Sequence, residues 1–266
     1  MHIEDQPYRT IKFSREGRIL TASISRPDAM NAVNGELHEE LSRLFRDLAD
    51  DSDSDVLVLT GEGKAFCAGG DLVWLQAAID DPAVFLNTAG EAKRILFGQL
   101  DLEKPLICRL NGAAAGLGAS IALFCDVIIA SSNASIGDPH VSVGFVAGDG
   151  GAIIWPQLVG YARAKEYLLT GKMAKAEEAE RIGLINKVVA PEALDAAVYG
   201  LARELAAGAT KAIRWTKVVT NLPLKAIAHT IFDTGLAYEN LSNLTADHQE
   251  GLNAFRERRK PVFTGR

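Results

Sequence analysis

The residue types that can do chemistry lie in two glycine-rich turns and one short loop. Residues 104–126 read KPLICRLNGAAAGLGASIALFCD. Pro105–Leu110 is an apolar run that reads as a short buried strand. Asn111-Gly112, three alanines, Gly116 and Gly118 follow, then an apolar run to Cys125. Small residues at this density let backbone approach a ligand closely. A helix starting near Gly116 would aim its first free N–H groups at whatever sits there. Residues 56–72 repeat the plan: the strand Val56–Thr60, the loop Gly61-Glu62-Gly63-Lys64, and Ala68-Gly69-Gly70-Asp71-Leu72 before a helix-like run. Two such turns can each offer one amide to a single oxygen, which is the design of an oxyanion hole. A tightly packed core helix with no ligand would carry the same small residues.

An oxyanion hole does not choose a reaction; the acid and base beside it do. His140 follows Pro139, which stiffens the loop by restricting the residue before it, and Asp149 comes nine residues later in the glycine-rich run Gly144–Gly151. A carboxylate beside an imidazole fixes its tautomer and stabilises the imidazolium. Histidine also has the free pKa nearest neutrality. The plainer alternatives are a loop histidine bonded to backbone and an aspartate capping a helix over Gly150–Leu158. Ser120 is either a hydrogen-bond donor in a pocket or a small residue making room. A Ser120–His140–Asp149 triad is conceivable, but no nucleophile elbow surrounds Ser120. No cluster has metal-ligand spacing. His38, His229 and His248 sit on helical patterns as surface or packing groups, and His2 is terminal. Cys67, Cys108 and Cys125 lie in or beside apolar runs without CxxC spacing and read as reduced core residues.

These residues need a scaffold, and 266 residues with 48% apolar side chains can build one large or two small domains. Twenty-eight basic against 34 acidic side chains give a net charge of −6, which argues against general affinity for nucleic acid or anionic lipid. The N-terminus lacks a cationic stretch followed by an apolar one, and no apolar run reaches the roughly 20 residues of a membrane span. A cytoplasmic protein with no membrane partner is expected. Ile11–Arg15 and Arg18–Ser25 read as a hairpin around Glu16-Gly17. Gly35–Ala49 carries Leu37, Leu41, Leu44 and Leu48 at helical spacing. Val56–Thr60 then follows a crossover helix, the mark of a parallel α/β arrangement. Ala83–Leu100 is a further helix and Val127–Ser131 a further strand. Beyond Gly150 the patterns turn helical over 162–169, 176–182, 191–207, 210–221, 224–243 and 246–258, with strand signal surviving only in Ile185–Val189. A division into a core of residues 1–200 and a helical region of 201–266 follows.

The sequence resembles the crotonase superfamily of enoyl-CoA hydratases and isomerases. The matching pieces are SRPDAMNAVN (Ser25–Asn34), GKAFCAGGDL (Gly63–Leu72), NGAAAGLGASIALFCDVIIAS (Asn111–Ser131), LLTGKMAKAEEAERIGLINKVV (Leu168–Val189) and EGLNAFRERRKPVFTGR (Glu250–Arg266). They run in family order over nearly the whole chain. The resemblance implies the α/β crotonase (ClpP-like) spiral of stacked ββα units with a C-terminal helical region. It implies a homotrimer, usually paired into a hexamer. It also implies an acyl-CoA substrate, with coenzyme A as part of that substrate and no bound cofactor. The thioester carbonyl would be held by the N–H groups of Gly70 and Leu117. CoA contacts would fall on Arg26, Ala29, Met30, Lys64, Ala65, Ala68, Gly69, Asp71 and Leu72, with Ser120 in the acyl pocket.

One departure is informative. Hydratases of this family use two glutamates, which would fall at Ser120 and His140, and neither is glutamate here. The aspartate of dienoyl isomerase and dehalogenase relatives would fall near Gly148, one place before Asp149. The nine-residue His-to-Asp spacing also occurs in oxocamphor hydrolase, a relative that cleaves a β-diketone without CoA; its other histidine has no evident partner here. Glu239, at the family's helical acidic position, reads as structural. Three readings follow: an acyl-CoA enzyme with an altered acid–base pair, a CoA-independent β-diketone hydrolase, and a catalytically silent binding member of the fold.

Overall fold

A computed structural model describes residues 3–266, which leaves His2 outside the described residues. The long apolar runs form one sheet. β1 (Ile11–Glu16) and β2 (Ile19–Ile24) make the expected antiparallel hairpin. After helix α1 (Gly35–Asp50), β3 (Val56–Gly61) pairs parallel with β2. All six residues of β3 are buried, because a parallel strand covered on both faces must be apolar on both. Leu57 and Leu59 point to one side with α1 leucines 41 and 44, whereas Val56 and Val58 point to the other.

β3 then leaves that sheet, turns, and enters a second one as β4 (Ala65–Cys67), followed by α2 (Leu72–Asp80) and α3 (Pro82–Asp101). The same move recurs twice. β5 (Leu106–Leu110) gives way to β6 (Ala113–Ala115) and α4 (Leu117–Leu123). β7 (Val127–Ser131) gives way to β8 (Ser135–Gly137), a 3-10 turn at His140–Val143, and α5 (Gly151–Thr170). These are three successive ββα units, as the crotonase resemblance implies. β9 (Met173–Lys175) closes the small sheet against β8, and after α6 (Ala176–Arg181), β10 (Lys187–Val189) closes the large one against β7. The strand orders are β1-β2-β3-β5-β7-β10 and β4-β6-β8-β9. α7 (Leu194–Ala206) seals the second face of the large sheet with Leu194, Val198 and Ala202, and the division at residue 200 falls inside it.

The C-terminal helices differ from the expected pattern in two places. The two segments read around 150–158 and 162–169 are one helix, α5, kinked at Gly160, where φ is +76°. The two read over 210–221 and 224–243 are one 34-residue helix, α8 (Thr210–Asn243), that runs through Pro223. An interior proline costs a helix roughly 3 kcal/mol, and here the packing of Ala228, Phe232 and Leu236 into the main core outweighs it. α9 (Ala246–Arg256) ends the helical part. No helix among the described residues is long and apolar enough to cross a membrane.

Candidate active site

β4, β6 and β8 are neighbours and mutually parallel, so their C-terminal ends lie side by side. Each end releases a short segment: Ala68-Gly69-Gly70 from β4, Gly116-Leu117 from β6, and Asp138-Pro139-His140 from β8, of which the sequence had singled out all but Asp138. The first two touch, since a Cβ on Gly69 would sit 3.0 Å from the Ala115 carbonyl oxygen. Gly70 forms a bridge with Val33 in which the Val33 N–H donates to the Gly69 carbonyl and the Asp71 N–H donates to the Val33 carbonyl. Those bonds leave the Gly70 N–H pointing away from Val33. Leu117 is the first residue of α4, so its N–H has no partner within the helix. Neither amide donates to any acceptor among the described residues. Both residues line a cavity of about 260 Å3, together with Ala68, Gly69, Leu72, His140, Asp149 and Glu239.

His140 sits beside these amides. Gly116 has φ +52°, and a side chain there would meet the His140 ring at 3.1–3.2 Å. Only glycine therefore lets the imidazole lie against the oxyanion turn. His140 Nδ1 is 2.5 Å from Asp138 Oδ1, and Nε2 is 3.6 Å from Asp149 Oδ2. Ser120 Oγ in turn donates to Asp149 Oδ1 at 3.0 Å. The carboxylate within hydrogen-bond distance of the ring is thus Asp138, and Asp149 lies beyond it. Sequence reasoning missed Asp138, although its signal was present: an aspartate two residues before the histidine, across a proline, at the end of a short strand. The residue that caps α5 is Gly150, without a side-chain bond, and Asp149 turns instead toward Ser120 and His140.

Burial and charge set the protonation of this group. Burial acts to lower the His140 pKa, but Asp138 and Asp149 outweigh it and push it up to about 10. Burial pushes the Asp149 carboxyl up, while His140, Ser120 and the Gly151 N–H draw it down. Glu239, on α8, is 3% exposed, and burial with the neighbouring Asp149 drives its carboxyl well above the usual range. Its Oε2 has no partner among the described residues. His248, on α9, accounts for its Nδ1 with the Val143 carbonyl at 2.7 Å and stacks on Phe145, and burial keeps its pKa low. Cys67 is fully buried, and burial pushes its thiol up to about 11, which opposes a nucleophilic role.

One ligand atom each from Asp138, His140 and Asp149 falls within 4.8 Å of the others, a grouping the sequence spacing did not suggest. His140 Nδ1 is already engaged by Asp138 Oδ1 at 2.5 Å, and the raised pKa of the ring favours a proton over a cation there. His38, which was read as surface or packing, is buried, lines the cavity and bonds Glu91 at 2.6 Å.

The residues that the resemblance assigned to CoA fall into two sets. Ala68, Gly69 and Leu72 line the cavity. Arg26, Ala29, Met30, Lys64, Ala65 and Asp71 lie outside it, around two loops held together by Asn31, whose side chain donates to the Glu62 and Ala65 carbonyls. Ala65 is buried in β4, Lys64 is exposed, and Arg26 pairs with Asp71 at 3.2 Å. Ser120 is buried under Asp149.

Residues 14–266 match the family model described as enoyl-CoA hydratase/isomerase. Crotonyl-CoA hydratase of Syntrophomonas wolfei is 36% identical over 262 residues, which cover 96% of this chain and 98% of that protein. An enoyl-CoA hydratase/isomerase structure from Mycobacterium paratuberculosis superposes with a TM-score of 0.88 at 34% identity, covering 94% of this chain and 99% of that one. A β-diketone hydrolase from the cyanobacterium Anabaena sp., bound to (S)-3-oxocyclohexyl acetic acid, superposes with a TM-score of 0.83 at 31% identity, covering 90% and 98%. With three ββα units, two free amides at adjacent strand ends and a family match spanning nearly its whole length, the chain belongs to the enoyl-CoA hydratase/isomerase family of the crotonase superfamily.

Proposed function

We propose that the protein is an acyl-CoA lyase or isomerase that forms a thioester enolate at the Gly70 and Leu117 amides and moves the proton through His140. The observation that carries this reading is the His140 ring packed on Gly116, one residue from the Leu117 amide. Each amide donor of such a hole is worth about 3–4 kcal/mol of barrier, and a positioned acid or base adds on the order of 10²–10⁴ in rate. Asp149, 3.6 Å from Nε2, can exchange a proton with it through one water, while Ser120 steadies it. Phe85, Ala89, Ala92, Phe145 and Leu236 give the cavity an apolar wall, which suits an apolar acyl group. The loops of Arg26–Met30 and Lys64–Ala68 are the candidate CoA contacts. The helical region of residues 201–266 is the candidate assembly surface, for Trp215, Val219, Leu222, Leu241 and Leu244 stand exposed on or beside α8, as a trimer or hexamer would require.

Calorimetry with acetyl-CoA and turnover of a panel of enoyl-CoA esters test the proposal. Binding of the thioester and turnover that His140→Gln reduces at least about a hundredfold are expected. Crotonyl-CoA hydration should stay far below about 10³ s⁻¹, nearer the ordinary enzyme median of about 10 s⁻¹, because both usual glutamates are missing. Turnover that survives the substitution would remove His140 from the mechanism.

A second reading, hydrolysis of a β-diketone without CoA, draws on the His140–Asp149 contact and on the likeness to the Anabaena hydrolase. Cleavage of a cyclic 1,3-diketone with no response to acyl-CoA would favour it. Inertness toward both substrate classes would leave the silent binding protein.

A further inference from the structure

Two carboxylates flank the His140 ring, and their distances are unequal. Asp138 Oδ1 lies 2.5 Å from Nδ1, a full hydrogen bond, whereas Asp149 Oδ2 lies 3.6 Å from Nε2, too far for one. Asp138 is 1% exposed and follows directly on β8; its Oδ1 also faces the His140 N–H at 3.4 Å, and its Oδ2 has no partner among the described residues. An ionised carboxylate only accepts, so the Nδ1 it faces must carry a proton. Resting on the proposed acyl-CoA chemistry, we infer that Asp138 is the positioning residue of the site. It pins Nδ1–H, directs Nε2–H at the cavity beside Gly116, and thereby makes His140 the proton donor and Asp149 the acceptor.

The division of labour balances for addition of water to an α,β-unsaturated thioester. Asp149 takes one proton of the water as its oxygen bonds the β-carbon. The π electron pair moves to the thioester oxygen at the two amides. The α-carbon then takes the proton from Nε2 as the enolate collapses. The proton on Asp149 then returns to Nε2 through a water of the site, since the two groups lie 3.6 Å apart, which restores the resting site. The reverse sequence serves elimination. Without Asp138 the ring would be free to turn or to rest neutral, and a neutral imidazole would compete with Asp149 for the water proton.

The charged and titratable groups around the ring agree with this assignment. Asp138 on the β8 end, Asp149 before α5 and Glu239 on α8 are the acidic ones, and His248 on α9 is the other basic one. Three carboxyls against one imidazole favour the imidazolium, with Glu239 held neutral by its burial.

The test reads the ring directly, with no substrate. Full-length protein labelled with 15N-histidine is titrated by NMR, and His140→Gln assigns the signal. In the wild type both ring nitrogens of His140 should stay protonated beyond pH 8, with a strongly downfield Nδ1 proton. In Asp138→Asn that proton signal should vanish, and the ring should titrate about 1–3 pH units lower. A neutral His140 at pH 7, or an unchanged titration in Asp138→Asn, would overturn the inference, and the wild-type spectrum decides the first point even if the variant does not fold. With whichever thioester the enzyme turns over, Asp138→Asn should lower kcat about a hundredfold or more and leave KM within about threefold. Equal losses in kcat and binding would make Asp138 merely structural. Because the spectra need no ligand, a protonated, Asp138-bound ring in a protein inert to acyl-CoA would sink the proposed substrate and spare the inference.

Discussion

In the six-stranded sheet β3 runs for six residues and buries all of them; in the four-stranded sheet every strand is three residues long. A sheet of three-residue strands has little apolar area with which to hold itself together. It exists here because β4, β6 and β8 are the continuations of β3, β5 and β7, and they repeat their neighbour order. The large sheet supplies stability and lateral order, and the small sheet spends that order on placing three turns. The segments that follow β4, β6 and β8 carry Gly70, Leu117 and His140. Stability and chemistry are therefore separable along the chain, even where the residues concerned are only a few positions apart.

The hardest blow to this separation would come at Gly116. In Gly116→Val the new side chain would strike the His140 ring and force φ +52° on a β-branched residue. Turnover should fall by about 10³ or more, since both the ring and the Leu117 amide are displaced. The thermal midpoint should move only by what about 1–3 kcal/mol of backbone strain implies. If activity stays within tenfold, the small sheet does not set the site.

Leu59→Ala, on β3, should do the opposite. Leu59 is fully buried in the main core. Its truncation should cost about 2–5 kcal/mol of unfolding free energy, measured by denaturant titration. The kcat of the molecules that remain folded should be unchanged. A matching loss of kcat would mean that the two sheets are mechanically one.

The same contrast explains what was legible. Val56–Thr60 and Pro105–Leu110 are long enough for an apolar run to register, and α1 is long enough for its leucine spacing to do so. Ala113–Ala115 is not: three alanines carry no alternation, and their strand character comes only from β4 and β8 on either side. The glycine turns and His140 could be found because their residue types are chemically unusual and their order matches a family. Asp138 was missed, because its place beside the ring depends on a turn that folds the His140 side chain back over two residues, and the aspartate before the proline was its only sequence signal. The continuity of α8 through Pro223 was hidden for a like reason, as packing against the core overrides a local break.

A subtler probe is pH. The folded-state pKa of His140 is raised from an ordinary 6.5 to about 10, so the group contributes stability in full below about pH 6.5 and loses it as pH rises through about 10. The raised carboxyls of Asp149 and Glu239, which cost stability as pH climbs above their ordinary values of 3.8 and 4.5, act in the same direction. Wild type should therefore exceed His140→Gln in thermal midpoint by most at pH 6, with the gap shrinking steadily toward pH 10. A gap that widens with pH would mean that His140 is neutral in the fold. In Leu59→Ala the deficit against wild type should scarcely depend on pH, since no charge is touched.

The smallest effect concerns selectivity. Ala92, on α3, lines the cavity but belongs to neither sheet. Ala92→Leu adds three carbons, a methine and two methyls, to the apolar wall while leaving His140, Asp149 and both amides untouched. One methylene in such a pocket is worth about 1–3 kcal/mol of discrimination. The kcat/KM for a phenyl-bearing enoyl-CoA should fall tenfold or more relative to that for crotonyl-CoA, at nearly constant stability. If α3 only supports the small sheet from behind, both substrates should suffer alike. A change in their ratio would instead make α3 a third functional layer, one that measures the acyl group after the strand ends have oriented its carbonyl.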